Sequence, residues 1–148
     1  MINQNRLHSL VLSIWFIVGS SAWSPDKTKF PSDYKKPILF FGQGGGFTGA
    51  VTTYAILDNG RFFKKNSLTE KEFHFIGKLS KSETSQLFNN YSFLGLPSLQ
   101  LEDPGNLYHF VEYSLKKNNH RMTWGGSVKP PDNLKLFYSL LNHLIPNP

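Results

Sequence analysis

The chain has no cysteine among its 148 residues, and this one absence excludes several arrangements. No disulfide can staple the fold, no thiolate can join a metal site, and no acylated cysteine can anchor the chain as a lipoprotein. Catalytic signatures are missing as well. His8, His74, His109, His120 and His143 show neither H-x-x-x-H nor H-E-x-x-H spacing, so no metal is expected. Neither His-Arg-Asp nor Asp-Phe-Gly occurs, which removes the kinase signature, and neither Ser127 nor Thr123 sits in a G-x-S-x-G setting. No cofactor is expected either.

A long apolar run occurs in one place, at the N-terminus. Met1 to Arg6 is polar, Leu10 to Val18 is apolar apart from Ser13, and Gly19-Ser20-Ser21-Ala22 supplies small residues at the −3 and −1 positions of a cleavage site. Residues 1–22 are therefore expected to be a signal peptide cut before Trp23. As a membrane anchor the stretch from Leu7 to Ala22 is interrupted by His8, Ser9 and Ser13 and falls short of the roughly 20 residues a spanning helix needs. No membrane span is expected after the cut. An exported domain without cysteine points to a bacterial periplasm or extracellular envelope, since small domains of oxidising eukaryotic compartments are commonly disulfide-rich.

The formal net charge of +6 falls to +5 once Arg6 leaves with the signal peptide. Its lysines lie in dispersed pairs such as Lys35/Lys36, Lys64/Lys65 and Lys116/Lys117, not in a stripe interleaved with stacking aromatics. A nucleic-acid partner is therefore not expected, and the lysines read as a solvated surface.

Trp23 to Lys36 is polar and holds Pro25 and Pro31, so residues 23–36 read as a flexible, extended tether ahead of one domain at 37–148. In that domain Pro37 to Phe41 suggests a first strand. Ala50 to Leu57 and Arg61 to Phe63 flank Asp58-Asn59-Gly60, whose Asn-Gly pair predicts a type I′ hairpin. Glu72 to Leu79 alternates as a strand, with Phe73, Phe75, Gly77 and Leu79 on one side. Ser80-Lys-Ser-Glu83 has capping-box spacing ahead of a helix ending near Asn90. Asp103-Pro104-Gly105-Asn106 fits a type II turn. Leu107 to Leu115 then alternates and pairs back across a four-residue loop, Lys116 to Asn119, with Val111 facing Trp124 and Tyr113 facing Met122. After Pro130-Pro131, Asp132 is placed as N-cap of a helix whose apolar stripe is Leu134, Phe137, Tyr138, Leu141, Leu144 and Ile145. Tight turns join antiparallel strands and one-sided helices need one apolar sheet face. The expected fold is α+β, a two-layer sandwich of an antiparallel sheet with two helices on one face.

The glycine cluster from Gly42 to Gly49 contains G-x-G-x-x-G at Gly44, Gly46 and Gly49. A dinucleotide site needs a helix after the glycines, and Val51-Thr-Thr-Tyr54 reads as strand, so a bulge or a binding loop fits better. Bare backbone donors beside Phe47 and Thr48 could cradle an anionic or carbonyl group, and Trp124-Gly125-Gly126 ends the second hairpin with a large ring beside two bare residues. Gly44, Gly46, Phe47, Thr48, Gly49, Trp124, Gly125 and Gly126 are thus the candidate ligand-binding residues, expected to share a groove at one edge of the sheet. No catalytic residue is assigned.

From Gly46-Phe47-Thr48-Gly49 through Tyr54 and the Asp58-Asn59-Gly60 turn, the chain resembles small exported bacterial domains of unknown function, over about Pro37 to Ile145. That resemblance implies a glycine-rich loop and hairpin packed with a capped helix and a C-terminal helix, and no catalytic residues. The reading is an exported, non-enzymatic binding or interaction module for an envelope component or partner protein. A small envelope hydrolase and an inhibitor of an exported enzyme are the alternatives; the inhibitor would present a protruding rigid loop in place of a pocket. N-terminal sequencing of the protein recovered outside the producing cell's cytoplasm should begin at Trp23; a chain still beginning at Met1 would make the segment an anchor.

Overall fold

The computed structural model describes residues 27–146, so the proposed signal peptide lies outside the described residues. The central strand β1 (Ile38–Gly45) runs past the apolar stretch and through the first glycines, because it is paired along its length on both sides. One neighbour is β2 (Val51–Leu57), which forms a hairpin with β3 (Arg61–Asn66), followed by β4 (His74–Lys78) at the sheet edge. The other neighbour is β6 (Leu107–Leu115), hairpinned to β7 (Asn118–Trp124), with the two-residue β5 (Glu102–Asp103) outside it. Helix α1 (Lys81–Phe93) follows β4 and helix α2 (Asp132–His143) follows β7. The described residues are mixed α+β: a seven-stranded sheet in the order β4-β3-β2-β1-β6-β7-β5 and two α-helices.

The sheet is mixed, whereas the sequence suggested a purely antiparallel one, and the exception is β5, which pairs parallel to β7. Asp103 to Asn106 therefore does not close a hairpin; it carries the chain from β5 to β6 over the end of β7. This crossing needs bare backbone. A Cβ on Gly105 would lie 2.1 Å from the Gly125 carbonyl oxygen, and one on Gly125 would lie 2.2 Å from that of Leu107. Gly105 has no positive φ, so the turn is not type II, and it is close approach that requires glycine there.

The other turns also depart in detail. The β2–β3 hairpin forms at Asp58-Asn59-Gly60, but Gly60 alone has a positive φ and its N–H bonds the Leu57 carbonyl at 2.9 Å. That is the three-residue loop with glycine in the left-handed position, not type I′. The β6–β7 loop is two residues, Lys116 and Lys117, so Val111 faces Met122 and His109 faces Trp124. The slip from the expected register is even, which keeps every side chain on its predicted face. It also sets Arg121 directly opposite Glu112, with an ion pair at 3.0 Å. In β4 a bulge leaves Ile76 without a partner, which breaks the alternation expected from Glu72 to Leu79 and turns Ile76 and Leu79 toward the main core.

Helix α1 begins as predicted. Ser80 Oγ accepts from the Glu83 N–H and the Glu83 carboxylate accepts from the Ser80 N–H. Helix α2 carries the stripe that buries Leu134, Phe137 and Leu141, but its N-cap position is Pro131 and Asp132 is the first helical residue. The buried side chains of both helices join Leu39, Phe41, Ile56, Phe62, Val111, Met122 and Trp124 in one cluster. Tyr91 of α1 stacks on Tyr113 of β6 at 4.8 Å. His120 Nε2 contacts the Leu99 carbonyl at 2.8 Å and must donate to it, so Nδ1 accepts from the Tyr91 hydroxyl at 2.6 Å. Burial pushes the Tyr91 phenol up to about 12.

A second cluster joins Ile38, Ala55, Leu57 and Phe63 with Phe30, Tyr34, Phe40 and Phe73. Residues 27–36 have neither helix nor strand; Phe30 stacks on Phe73 at 4.5 Å and the Tyr34 hydroxyl donates to Asp58. Burial, then the Asp58 carboxylate, raises the Tyr34 phenol above the usual tyrosine range. Among the described residues no helix is long and apolar enough to cross a membrane.

Gly125→Ala should cost more than about 2 kcal/mol, because the added carbon meets backbone that cannot move aside. Gly49 has a φ of +63° but open space around it. Gly49→Ala should therefore cost only about 1 kcal/mol. Urea unfolding midpoints of the two variants, compared with the parent, test this ranking.

Candidate functional site

The glycine cluster becomes the end of β1 and a tight loop that returns the chain to β2. The Gly45 N–H bonds the Ala50 carbonyl at 3.1 Å, the Gly49 N–H bonds that of Gly46 at 3.1 Å, and Thr48 Oγ1 accepts from the Ala50 N–H at 3.3 Å. A fourth bond ties the loop to the strand on the other side, from the Gly46 N–H to the Asn106 carbonyl at 2.7 Å. Gly45, Gly46 and Gly49 all have positive φ, which a larger residue would resist. At the tip Phe47 is fully exposed, and Thr48 and Gly49 beside it are exposed too. Backbone donors that could have cradled an anion are thus largely spent on bracing the loop.

The two glycine groups do meet at one end of the sheet. Gly46 bonds Asn106, and Gly125 packs against Leu107 and Tyr108, so both converge on the start of β6. Gly126 is held by the Asp103 carbonyl at 2.8 Å, and the Asp103 carboxylate accepts from the Val128 N–H at 2.6 Å. Backbone packs closely around Gly125, against Leu107 and Tyr108. Trp124 is only 6% exposed and stands 5.1 Å edge-on to Tyr138 and 5.8 Å from His109. It belongs to the main core, whereas Phe47 points into solvent, so the two rings do not line a common cleft.

A cavity of about 310 Å³ does lie at this end, walled by Gln43, Gly44, Gly45, Thr52, Leu107 and His109 among others. It rests on a rung that runs across five strands, Asn66–Thr52–Gln43–His109–Trp124, each residue the pairing partner of the next. Asn66 Nδ2 donates to Thr52 Oγ1 at 3.4 Å. Behind it, Tyr138 of α2 donates its single hydroxyl proton to the Gly42 carbonyl at 3.1 Å, and its oxygen lies 3.2 Å from His109 Nδ1. The carbonyl can only accept, so Nδ1 must carry the proton it shares with Tyr138. Burial raises the Tyr138 phenol above its ordinary range.

Sequence reading missed Gln43, Thr52 and Tyr138, because β1 was taken to end at Phe41 and the rung exists only if it continues. The strand-like alternation of Gln43 with Phe41 was the available signal. Thr123 is buried and its N–H bonds the Leu101 carbonyl, while Ser127 is exposed in the loop after β7. The histidines sit apart: His109 and His120 are held by different tyrosines, and His143 donates to Ser139 of its own helix. Among the described residues no three His, Asp or Glu gather as a metal site would require.

Tyr138→Phe should lower stability by about 1–2 kcal/mol by leaving Gly42 and His109 without their shared partner. It should also release the His109 proton from Nδ1, which nitrogen-15 chemical shifts of the imidazole ring would report. Neither a protein-family model nor a curated protein matches this chain.

Proposed function

We propose that this is an exported, non-enzymatic interaction module of the bacterial envelope, periplasmic or extracellular, that engages a partner protein through the β1–β2 loop. The observation that carries this reading is Phe47, a fully exposed aromatic ring on a loop braced by four hydrogen bonds. An exposed phenylalanine leaves apolar area in water, and burying it in a partner's pocket recovers that area. Because the loop is already fixed by Gly45, Gly46 and Asn106, little backbone freedom is lost on binding. Leu107, exposed and packed against Gly46, supplies further apolar contact beside the loop.

In this reading the domain is a two-layer sandwich with both helices on one face, and the layer beneath the loop serves as a rigid mount. Stacking of Tyr91 on Tyr113 and of Tyr138 against Phe41 and Trp124 supports that arrangement. A projecting braced loop also suits an inhibitor of an exported enzyme, the second reading. Hydrolysis finds less support: Thr52 and His109 are separated by β1, too far apart to share a proton directly.

Photo-reactive benzoylphenylalanine placed at position 48 in the producing cell should yield one discrete cross-linked partner, and Phe47→Ala should abolish it. The same group at position 117, in the remote β6–β7 turn, should not. No cross-link from position 48, or an equal one from position 117, would reject the loop as the contacting element.

A further inference from the structure

A cavity of about 740 Å³ lies away from the β1–β2 loop, between residues 28–32 and the connection from β3 to β4. Its apolar walls are Phe30, Phe73 and Phe75, tied to the second cluster through Phe63: Phe30 meets Phe63 at 5.2 Å and Phe75 meets it at 5.7 Å, both edge-on. Its polar walls include Lys29, Lys65 and Lys71. Lys65 Nζ stands 5.9 Å from the centre of the Phe73 ring. The ion pairs among the described residues are Lys36–Asp58, Arg121–Glu112 and Lys135–Asp132. None involves these three lysines or the one carboxylate on the wall, Glu72.

We propose that this cavity binds a small amphiphilic organic anion, its apolar body against the phenylalanines and its carboxylate or sulfonate among Lys29, Lys65 and Lys71. The volume lies within the range of small-molecule sites. Exposed lysines alone hold an anion weakly, and an open aromatic wall alone holds any greasy molecule; the two together select a ligand that carries both features. An extended peptide joining the neighbouring sheet edge fits less well. The bulge at Ile76 twists β4 away from a straight ladder and Lys78 guards its end, both devices that discourage strand addition.

Titration of the protein with 1-anilinonaphthalene-8-sulfonate, read by fluorescence, tests the site, with decanoate, decanol and inorganic sulfate as competitors. The dye should bind at one site and be displaced by decanoate, but not by decanol or sulfate at equal concentration. Lys65→Glu with Lys71→Glu should weaken binding by about tenfold or more. Lys81→Glu with Lys129→Glu, an equal change of net charge at exposed lysines that do not line this cavity, should leave it within about twofold. Glu72→Gln removes the one opposing charge and should tighten it, an arm that does not depend on the double variant folding. Equal weakening by both lysine pairs, displacement by decanol as effective as by decanoate, or no gain with Glu72→Gln would overturn the proposal.

Discussion

Strand β1 is bonded to β2 on one side and β6 on the other for nearly its whole length, and its side chains alternate between two separate cores. Leu39 and Phe41 enter the cluster shared with the helices, while Ile38 and Phe40 face the cluster closed by Phe30 and Phe73. Removing β1 would disconnect the β2–β3–β4 half of the sheet from the β6–β7–β5 half. The features of functional interest hang on the same strand. The projecting loop leaves its C-terminal end, Gln43 completes the polar rung, and Phe40 backs the aromatic wall near the cationic cavity.

Much of this fold was legible because local chemistry and final structure agree. Ser80 and Glu83 cap α1, the Leu134, Phe137 and Leu141 stripe buries α2, and the alternation of β6 assigns its faces correctly even where the pairing slips by two residues. What was not legible depends on contacts between residues distant in the chain. Glycines read locally as a break, yet Gly42 to Gly45 stay in β1 because strands on both sides supply partners. Nothing local in Glu102-Asp103 announces that it will lie parallel to β7, since that pairing is made across the crossing and not through a turn.

Candidate binding residues divide along the same line. Phe47 and Thr48 stand exposed in a loop that glycine content made visible from the sequence. Gly125 and Gly126 were conspicuous for the same reason, but their bare backbone serves chain crossing, and Trp124 is consumed by packing on His109 and Tyr138. The second aromatic cluster was hidden because Phe30 is isolated in a polar stretch and the two rings it meets most closely, Phe63 and Phe73, lie more than thirty residues on.

The pairing of β1 with β6 also governs the order in which the chain can fold. Ile38 is matched with Ser114, so the central strand can acquire its second neighbour only after most of the polypeptide has been made. Until then β1 to β4 form at best a four-stranded meander with α1, and the main core around Phe41 and Ile56 still lacks β6, β7 and α2. Such long-range closure makes folding slow and leaves the emerging chain without a stable core. A polypeptide in that condition stays in a loose, threadable state for longer, the state in which a chain is passed through a narrow conduit.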